Sequence, residues 1–230
     1  MTSLRRLRVF DCTRGTPTRD LGMLHSHPRN VFSTLSAVYL VPGAKLSLQF
    51  ELAMFPFGPP ASLVAYEMYL AVATQNTIFQ TVRPEGIQVL RLSGRCRFPQ
   101  HVKLPALRQL TICGATSSYL DQHLEHDLSS SSDLRSFRYS QGDRMGFQMA
   151  DSLLSSLAHR FGRTLRQLVL LECNKLSTAS LGSSLRQLQV LEYLALSLTT
   201  FNEMDYNFAQ DIPQTVVVLK RGFVRCYTQR

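Results

Sequence analysis

The chain has 230 residues, a hydrophobic content of 44% and a net charge of +9. This length is enough to bury a sizeable core. The charged start at residues 1–8, and the lack of any window of about 18 uncharged apolar residues, argue against a secretory signal and a transmembrane helix. The sequence therefore predicts an intracellular protein, cytoplasmic or nuclear, with no membrane partner. Five cysteines without a Cys-x-x-Cys pair disfavour a disulfide framework and a zinc knuckle.

Arginine accounts for 21 of the 25 basic residues, and the arginines are dispersed along the chain. Binding along a phosphate backbone needs a basic stripe that is continuous in space. The dispersal makes nucleic acid the less favoured partner, although a repeat fold can bring separated arginines into line.

A short pattern recurs through most of the chain. Residues 165–173 read Leu-x-x-Leu-x-Leu-x-x-Cys, and position one of the unit is the first Leu. Similar units begin at Leu4, Leu35, Ile87, Leu107, Leu134, Leu165 and Leu191. The interval of 52 residues between positions 35 and 87 is twice 26, so it holds either a degenerate copy near 63–68 or an irregular insertion within 42–85.

Helical spacing appears between several copies. Leucines recur every four residues at 120–128, apolar residues do so from Met149 to Phe161 before Gly162, and a third stripe at 181–188 follows the candidate caps Ser177 and Thr178. We also expect a longer helix at 61–80, a loop between Leu92 and Leu107, an extra strand at 45–50 and a strand at 215–219 whose register is open.

The unit dictates a shape. Side chains at positions four and six point to the same side of a short strand, and position one completes this inward set. One unit cannot bury that side alone, so neighbouring units stack as a parallel sheet with helices on the outer side. We predict an α/β solenoid with strands near 7–9, 38–40, 90–92, 110–112, 137–139, 168–170 and 194–196, in which Leu168 is buried and Val169 faces solvent.

The pattern resembles leucine-rich repeats, in particular the irregular repeats of about 26 residues in fungal, basidiomycete-like F-box proteins. The resemblance covers roughly residues 1–210 and is strongest over 164–199. It implies a single leucine-rich-repeat domain over 1–230, with a curved parallel sheet on its concave side, helices on its convex side and a degenerate end at 211–230.

In that family the repeats bind a protein substrate, and an F-box docks on Skp1 in a cullin-RING ubiquitin ligase. No segment of this chain resembles an F-box, so Skp1 and cullin are expected partners only if that motif lies outside it.

The expected binding surface is the solvent side of the strands, at positions three and five. Arginines populate its first part and uncharged residues its last part, while Arg5, Arg108, Arg135 and Arg166 flank it at position two. Arginine pairs well with carboxylate and phosphate, which favours an acidic protein partner. The alternative is that these arginines are simply solvated. The candidate contact residues are Arg6, Arg8, Tyr39, Arg91, Gln109, Thr111, Arg138, Val169 and Tyr193.

The sequence carries no recognisable catalytic, cofactor or metal motif. His123 and His126 lie three apart on one predicted helix without an evident distant ligand, and Cys12 and Cys173 occupy the turn position of the repeat, where burial is expected. We therefore predict a non-enzymatic protein-interaction module without cofactors; the alternative is a nucleic-acid-binding repeat protein.

Overall fold

A computed structural model describes residues 6–9, 37–40, 63–68, 75–79, 84–98, 102–116, 118–141, 146–200, 206–221 and 225–226. Within them, the strands that start from successive units lie side by side, and every pair runs parallel. The strands are β1 (Arg6–Val9), β2 (Ala37–Leu40), β3 (Ala65–Met68), β4 (Gln75–Thr77), β5 (Val89–Arg97), β6 (Gln109–Ala115), β7 (Ser136–Ser140), β8 (Gln167–Cys173), β9 (Tyr193–Thr200), β10 (Val218–Arg221) and β11 (Arg225–Cys226).

The strand order follows the chain: β1-β2-β3-β5-β6-β7-β8-β9-β10. Strand β4 pairs with the second half of β5, and β11 pairs with the end of β9. All seven predicted strands belong to this sheet, which confirms the α/β class and the parallel arrangement.

A backbone hydrogen-bond pattern repeats from strand to strand. The carbonyl at position two accepts two N–H groups, from positions two and three of the next strand. For example, the Arg108 carbonyl accepts from Arg135 and Ser136 at 2.8 and 3.0 Å. This recurring bond holds successive units in one register, and its acceptors are Val64, Gln88, Arg108, Arg135, Arg166 and Glu192.

The inward set forms the core. Side chains at positions one, four and six are buried in the five units that begin at 87, 107, 134, 165 and 191. They pack in one apolar cluster with helix residues such as Leu124, Leu157 and Leu185. The core therefore lies between the sheet and the helices, and positions three and five lie on the opposite side, here called the far face.

In the part of the chain that the structure describes, three helices cover the core: α1 (Ser118–Asp127), α2 (Asp151–Phe161) and α3 (Thr178–Gln187). Short 3₁₀ turns lie at Pro84–Gly86, Leu128–Ser130 and Phe208–Asp211. All three helices were expected from leucine spacing. The predicted cap is confirmed at Ser177, whose hydroxyl accepts from the Ser180 N–H at 3.1 Å and donates to Asp151 at 2.7 Å, which links the starts of α3 and α2.

The predicted helix at 61–80 is wrong. Residues 65–68 and 75–77 are strands β3 and β4, and β3 pairs on both sides, with β2 and β5. Leu63 and Tyr66 are buried at positions one and four, the arrangement expected of a degenerate copy, and the Tyr66 ring lies 5.5 Å from that of Phe79. The edges of β2 and β5 supply hydrogen-bond partners for the backbone of β3, and this tertiary pairing overrides the local preference for a helix.

Two further expectations change at the chain's connections. The loop expected after Leu92 begins only after β5 ends at Arg97, because β4 pairs with residues 95–97. The strand expected at 215–219 is β10, whose Leu219 aligns with Leu194, so its register places Leu219 at position four. The strand expected at 45–50, most of 42–85 and Cys12 lie outside the described residues, and the single-domain assignment stays a prediction.

Candidate functional site: the far face of the sheet

The strand register gathers the predicted contact residues into two rows. In each row, neighbouring residues come from adjacent strands about 4.8 Å apart. The position-three row is Arg6, Ala37, Ala65, Val89, Gln109, Ser136, Gln167, Tyr193 and Val218; the position-five row is Arg8, Tyr39, Glu67, Arg91, Thr111, Arg138, Val169, Ala195 and Lys220. All nine candidates fall in these rows. Arg6, Arg8 and Tyr39 are placed by their backbone register alone.

The middle of the far face, on β5 to β7, is polar and accessible. Arg138 and Gln109 are exposed, and Arg91 and Thr111 are partly exposed. Because Arg91, Thr111 and Arg138 align on three successive strands, two cationic side chains flank a hydroxyl in one row. This part of the face can donate several hydrogen bonds to an extended acidic segment lying across the strands.

A hydrogen bond organises the next part of the position-three row. The Ser136 hydroxyl donates to Oε1 of Gln167 at 2.8 Å, across β7 and β8. The bond uses the Gln167 carbonyl oxygen and leaves its amide as a donor. Farther along, the Lys220 ammonium lies 5.8 Å from the centre of the Tyr193 ring, a cation–π contact between β10 and β9.

Sequence reasoning missed Glu67. Its place in the row, between Tyr39 and Arg91, follows from strand β3, which had been assigned to a helix. The basic row is therefore interrupted by a partly buried carboxylate. The Leu63-x-x-Tyr66-x-Met68 spacing was the available signal, because it repeats the unit with Tyr at position four.

The expected exposure of Val169 is wrong. Val169 is 4% exposed and its row neighbour Ala195 is 6% exposed. Both are short side chains in a row that also holds Arg138 and Lys220, with Gln167 and Tyr193 in the adjacent row. Longer neighbours shield short side chains on a pleated surface, so Val169 belongs to the support of the far face and offers little contact area.

The position-two arginines form ion pairs at the strand starts. Arg135 contacts Asp133 through three hydrogen bonds of 2.7 to 3.1 Å, and Arg108 lies 3.7 Å from the same carboxylate. Arg166 pairs with Glu192 at 2.6 Å. The hydrogen bonds from Arg135 hold the pKa of Asp133 below its ordinary value. Two carboxylates thus offset part of the charge of three arginines, while Arg5 lies outside the described residues.

His123 and His126 are exposed on α1, and the Glu125 carboxylate accepts a 2.5 Å hydrogen bond from Ser156 on α2. A shallow groove of about 660 Å³ lies between these helices. Within the described ranges, His, Cys, Asp and Glu residues form no group of three or more that could hold a metal ion.

Two buried cysteines at the strands, Cys96 and Cys173, are unsuited to nucleophilic chemistry. Burial raises the pKa of both the Cys96 and Cys173 thiols to about 12. At neutral pH both therefore stay protonated, and the thiolate is the reactive form. The Cys173 thiol faces the Leu171 carbonyl at 3.8 Å, as expected for a residue that ends its strand in a turn.

Scans against protein-family models, curated proteins and solved structures find no match for this chain. Of the helices that the structure describes, none has the length and apolar character needed to cross a membrane.

Proposed function

We propose that this chain is a non-enzymatic protein-interaction module of the leucine-rich-repeat type, which binds an extended acidic segment on the far face of its sheet. The observation that carries the proposal is the alignment of Arg91, Thr111 and Arg138 on three adjacent parallel strands. Two cations that lie two strands apart, with a hydroxyl between them, match carboxylates spaced along an extended chain better than they match a small ligand.

The repeat assignment is supported by the recurrence of three features in successive units. Positions one, four and six are buried, the position-two carbonyl accepts two N–H groups, and the strands stack in parallel. These are the features that a stack of short, mutually dependent units requires. A role like that of the substrate-recognition part of a fungal F-box ubiquitin-ligase adaptor follows from the resemblance of residues 164–199. Skp1 and cullin enter as partners only for a chain that also carries an F-box.

The first test reverses one charge on the far face. We expect Arg138→Glu to weaken binding of an acidic partner peptide by at least about tenfold, because a like charge replaces an attractive one. The matched control is Arg163→Glu, an exposed residue in the turn after α2 that makes the same change of charge on the helix side. Peptide binding is measured by fluorescence anisotropy, with melting temperatures recorded for both variants.

Equal losses in the two variants would mean that net charge alone drives binding, and the far face would be rejected as the site. Arg163 is preferred to Arg160 as a control because the Arg160 guanidinium donates to the carbonyls of Ser129 and Ser131, so its replacement would also disturb the α1 terminus.

A nucleic-acid-binding role is the second candidate. It is favoured by the three position-two arginines, whose side chains stay at least half exposed although they are paired. It is disfavoured by Glu67, Asp133 and Glu192, which interrupt the basic character of the rows and of the strand starts. A competition experiment between duplex DNA and the acidic peptide compares Arg138→Glu with Arg135→Glu. It separates binding on the far face from binding at the strand starts.

A further inference from the structure

Strand β10 ends the described sheet with apolar side chains in solvent. Val217, Val218 and Leu219 are 84%, 39% and 42% exposed, and they are the large hydrophobic residues that stand out as exposed in the described part of the chain. Leu219 occupies position four, where the corresponding residues of β5 to β9 are fully buried. Its exposure arises because no described strand lies on the outer side of β10.

The backbone of this edge continues the repeating hydrogen-bond pattern. Val217 and Val218 donate to the Glu192 carbonyl at 2.9 and 3.1 Å, so β10 makes the same pair of bonds as β5 to β9. The Val217 carbonyl holds position two and would provide the same acceptor for one more strand. No N–H group of the described residues donates to it. The edge is therefore a template for a further strand in the parallel direction.

We infer that β10 is a second docking site, which accepts an extended segment of a partner protein as an added parallel strand. The segment that fits has apolar residues at positions one and four, because it would lie against Val216 and Leu219 on the core side. At position five it would carry an acidic residue, because the exposed Lys220 occupies that position in β10. Opposite charges side by side in a sheet stabilise the pair, and like charges destabilise it.

The same charge rule makes a second copy of this chain a poor occupant. Head-to-tail stacking would bring β1 of one copy beside β10 of another and place Arg8 at position five next to Lys220. Such stacking also leaves new edges open and leads to filaments. A lysine on a short edge strand is a common device against self-association. The edge thus discourages its own copies while it remains complementary to an acidic, apolar segment.

The probe is a synthetic peptide with leucine at positions one and four and glutamate at position five. We expect wild-type protein to bind it, with hydrogen–deuterium exchange slowed at residues 217–221. Lys220→Glu should weaken binding of this peptide by at least about tenfold and should strengthen binding of a version with lysine at position five. A version of the glutamate peptide with N-methylated backbone amides should lose binding, since methylation removes the hydrogen bonds of the added strand but keeps the side chains.

Three outcomes would overturn the inference. The first is equal binding of the N-methylated and unmodified peptides, which would indicate apolar adhesion without a strand. The second is equal binding of the glutamate peptide by wild type and Lys220→Glu. The third is self-association of the wild type in sedimentation velocity that Leu219→Lys abolishes, which would make a second copy the occupant. Arg138→Glu, three strands away, should leave this peptide unaffected, so failure of the far-face proposal is distinguishable from failure of this one.

Discussion

Glu172 occupies a backbone conformation that disfavours its side chain. Its φ is 58°, and Gly94 and Gly114, which hold the same position eight in their units, have the same φ. The strand register shifts at this point in β5 and β8, so position eight forms the irregularity that ends regular pairing. Glycine adopts this conformation without steric cost, whereas other residues pay for a crowded Cβ.

We therefore expect Glu172→Gly to raise the free energy of unfolding by about 0.5 to 1 kcal/mol. The side chain is exposed, so few contacts are lost. The control is Glu172→Ala, which removes the carboxylate but keeps the Cβ. Urea denaturation of the three proteins checks the prediction, and an equal gain in both variants would assign the effect to charge.

Leu168 and Val169 test the two faces of β8. Leu168 is buried in the core between sheet and helices, and we expect Leu168→Ala to cost about 2 to 5 kcal/mol. The sequence position of Val169 implied solvent exposure and a mild effect of Val169→Ala. Because Val169 is buried, we expect this substitution to lower the free energy of unfolding by about 1 to 3 kcal/mol. Chemical denaturation measures both. A change at Val169 below about 0.5 kcal/mol, the usual size for surface substitutions, would restore its exposed assignment.

At the scale of elements, close backbone approach joins α2 to α3. A Cβ added at Gly162 would lie 2.4 Å from the Gln187 carbonyl oxygen and 2.8 Å from that of Ala158. The Gly162 carbonyl in turn accepts from the Gln189 N–H at 2.9 Å. The φ of Gly162 is −55°, so glycine is needed here for space and not for its conformational range.

We expect Gly162→Ala to lower the melting temperature by several degrees, because the backbone oxygens of Gln187 and Ala158 cannot rotate away as a side chain could. Such overpacking costs about 1 to 3 kcal/mol. Arg163→Ala, in the exposed next residue, is the control and should have little effect. Differential scanning calorimetry compares the two. A normal melting temperature for Gly162→Ala would mean that the ends of α2 and α3 separate easily.

At the scale of the whole molecule, the net charge of +9 predicts some attraction to any polyanion. The salt dependence of duplex affinity therefore decides whether nucleic acid is a specific partner. The far face offers Arg91, Arg138 and Lys220 at position five among the residues whose side chains are described. If these three contact phosphates, the logarithm of duplex affinity should fall with the logarithm of salt concentration with a slope of about −3. A slope of about −6 or steeper, measured by anisotropy, would indicate a longer basic stripe and favour nucleic-acid binding.

The sequence by itself determined the inward set and therefore the sheet. Apolar residues recur at positions one, four and six of each unit, as at Leu107, Leu110 and Ile112. The side chains of a strand point alternately to its two faces, whatever surrounds them. Only stacking buries such a set, so parallel strands in chain order followed from the pattern. The helices α1 to α3 and the cap at Ser177 were likewise local signals.

Tertiary structure decided what depends on neighbours distant in the chain. Strand β3 forms because the edges of β2 and β5 offer hydrogen-bond partners on both of its sides, and it brings Glu67 into the position-five row. The expectation of a helix at 61–80 had hidden the strand and the place of Glu67. The burial of Val169 depends on the length of side chains from other strands, and the pairing of Asp133 with Arg135 and Arg108 depends on how strand starts align. Spacing within one unit determines which way a side chain points, but only the assembled neighbours determine what covers it and what charge it meets.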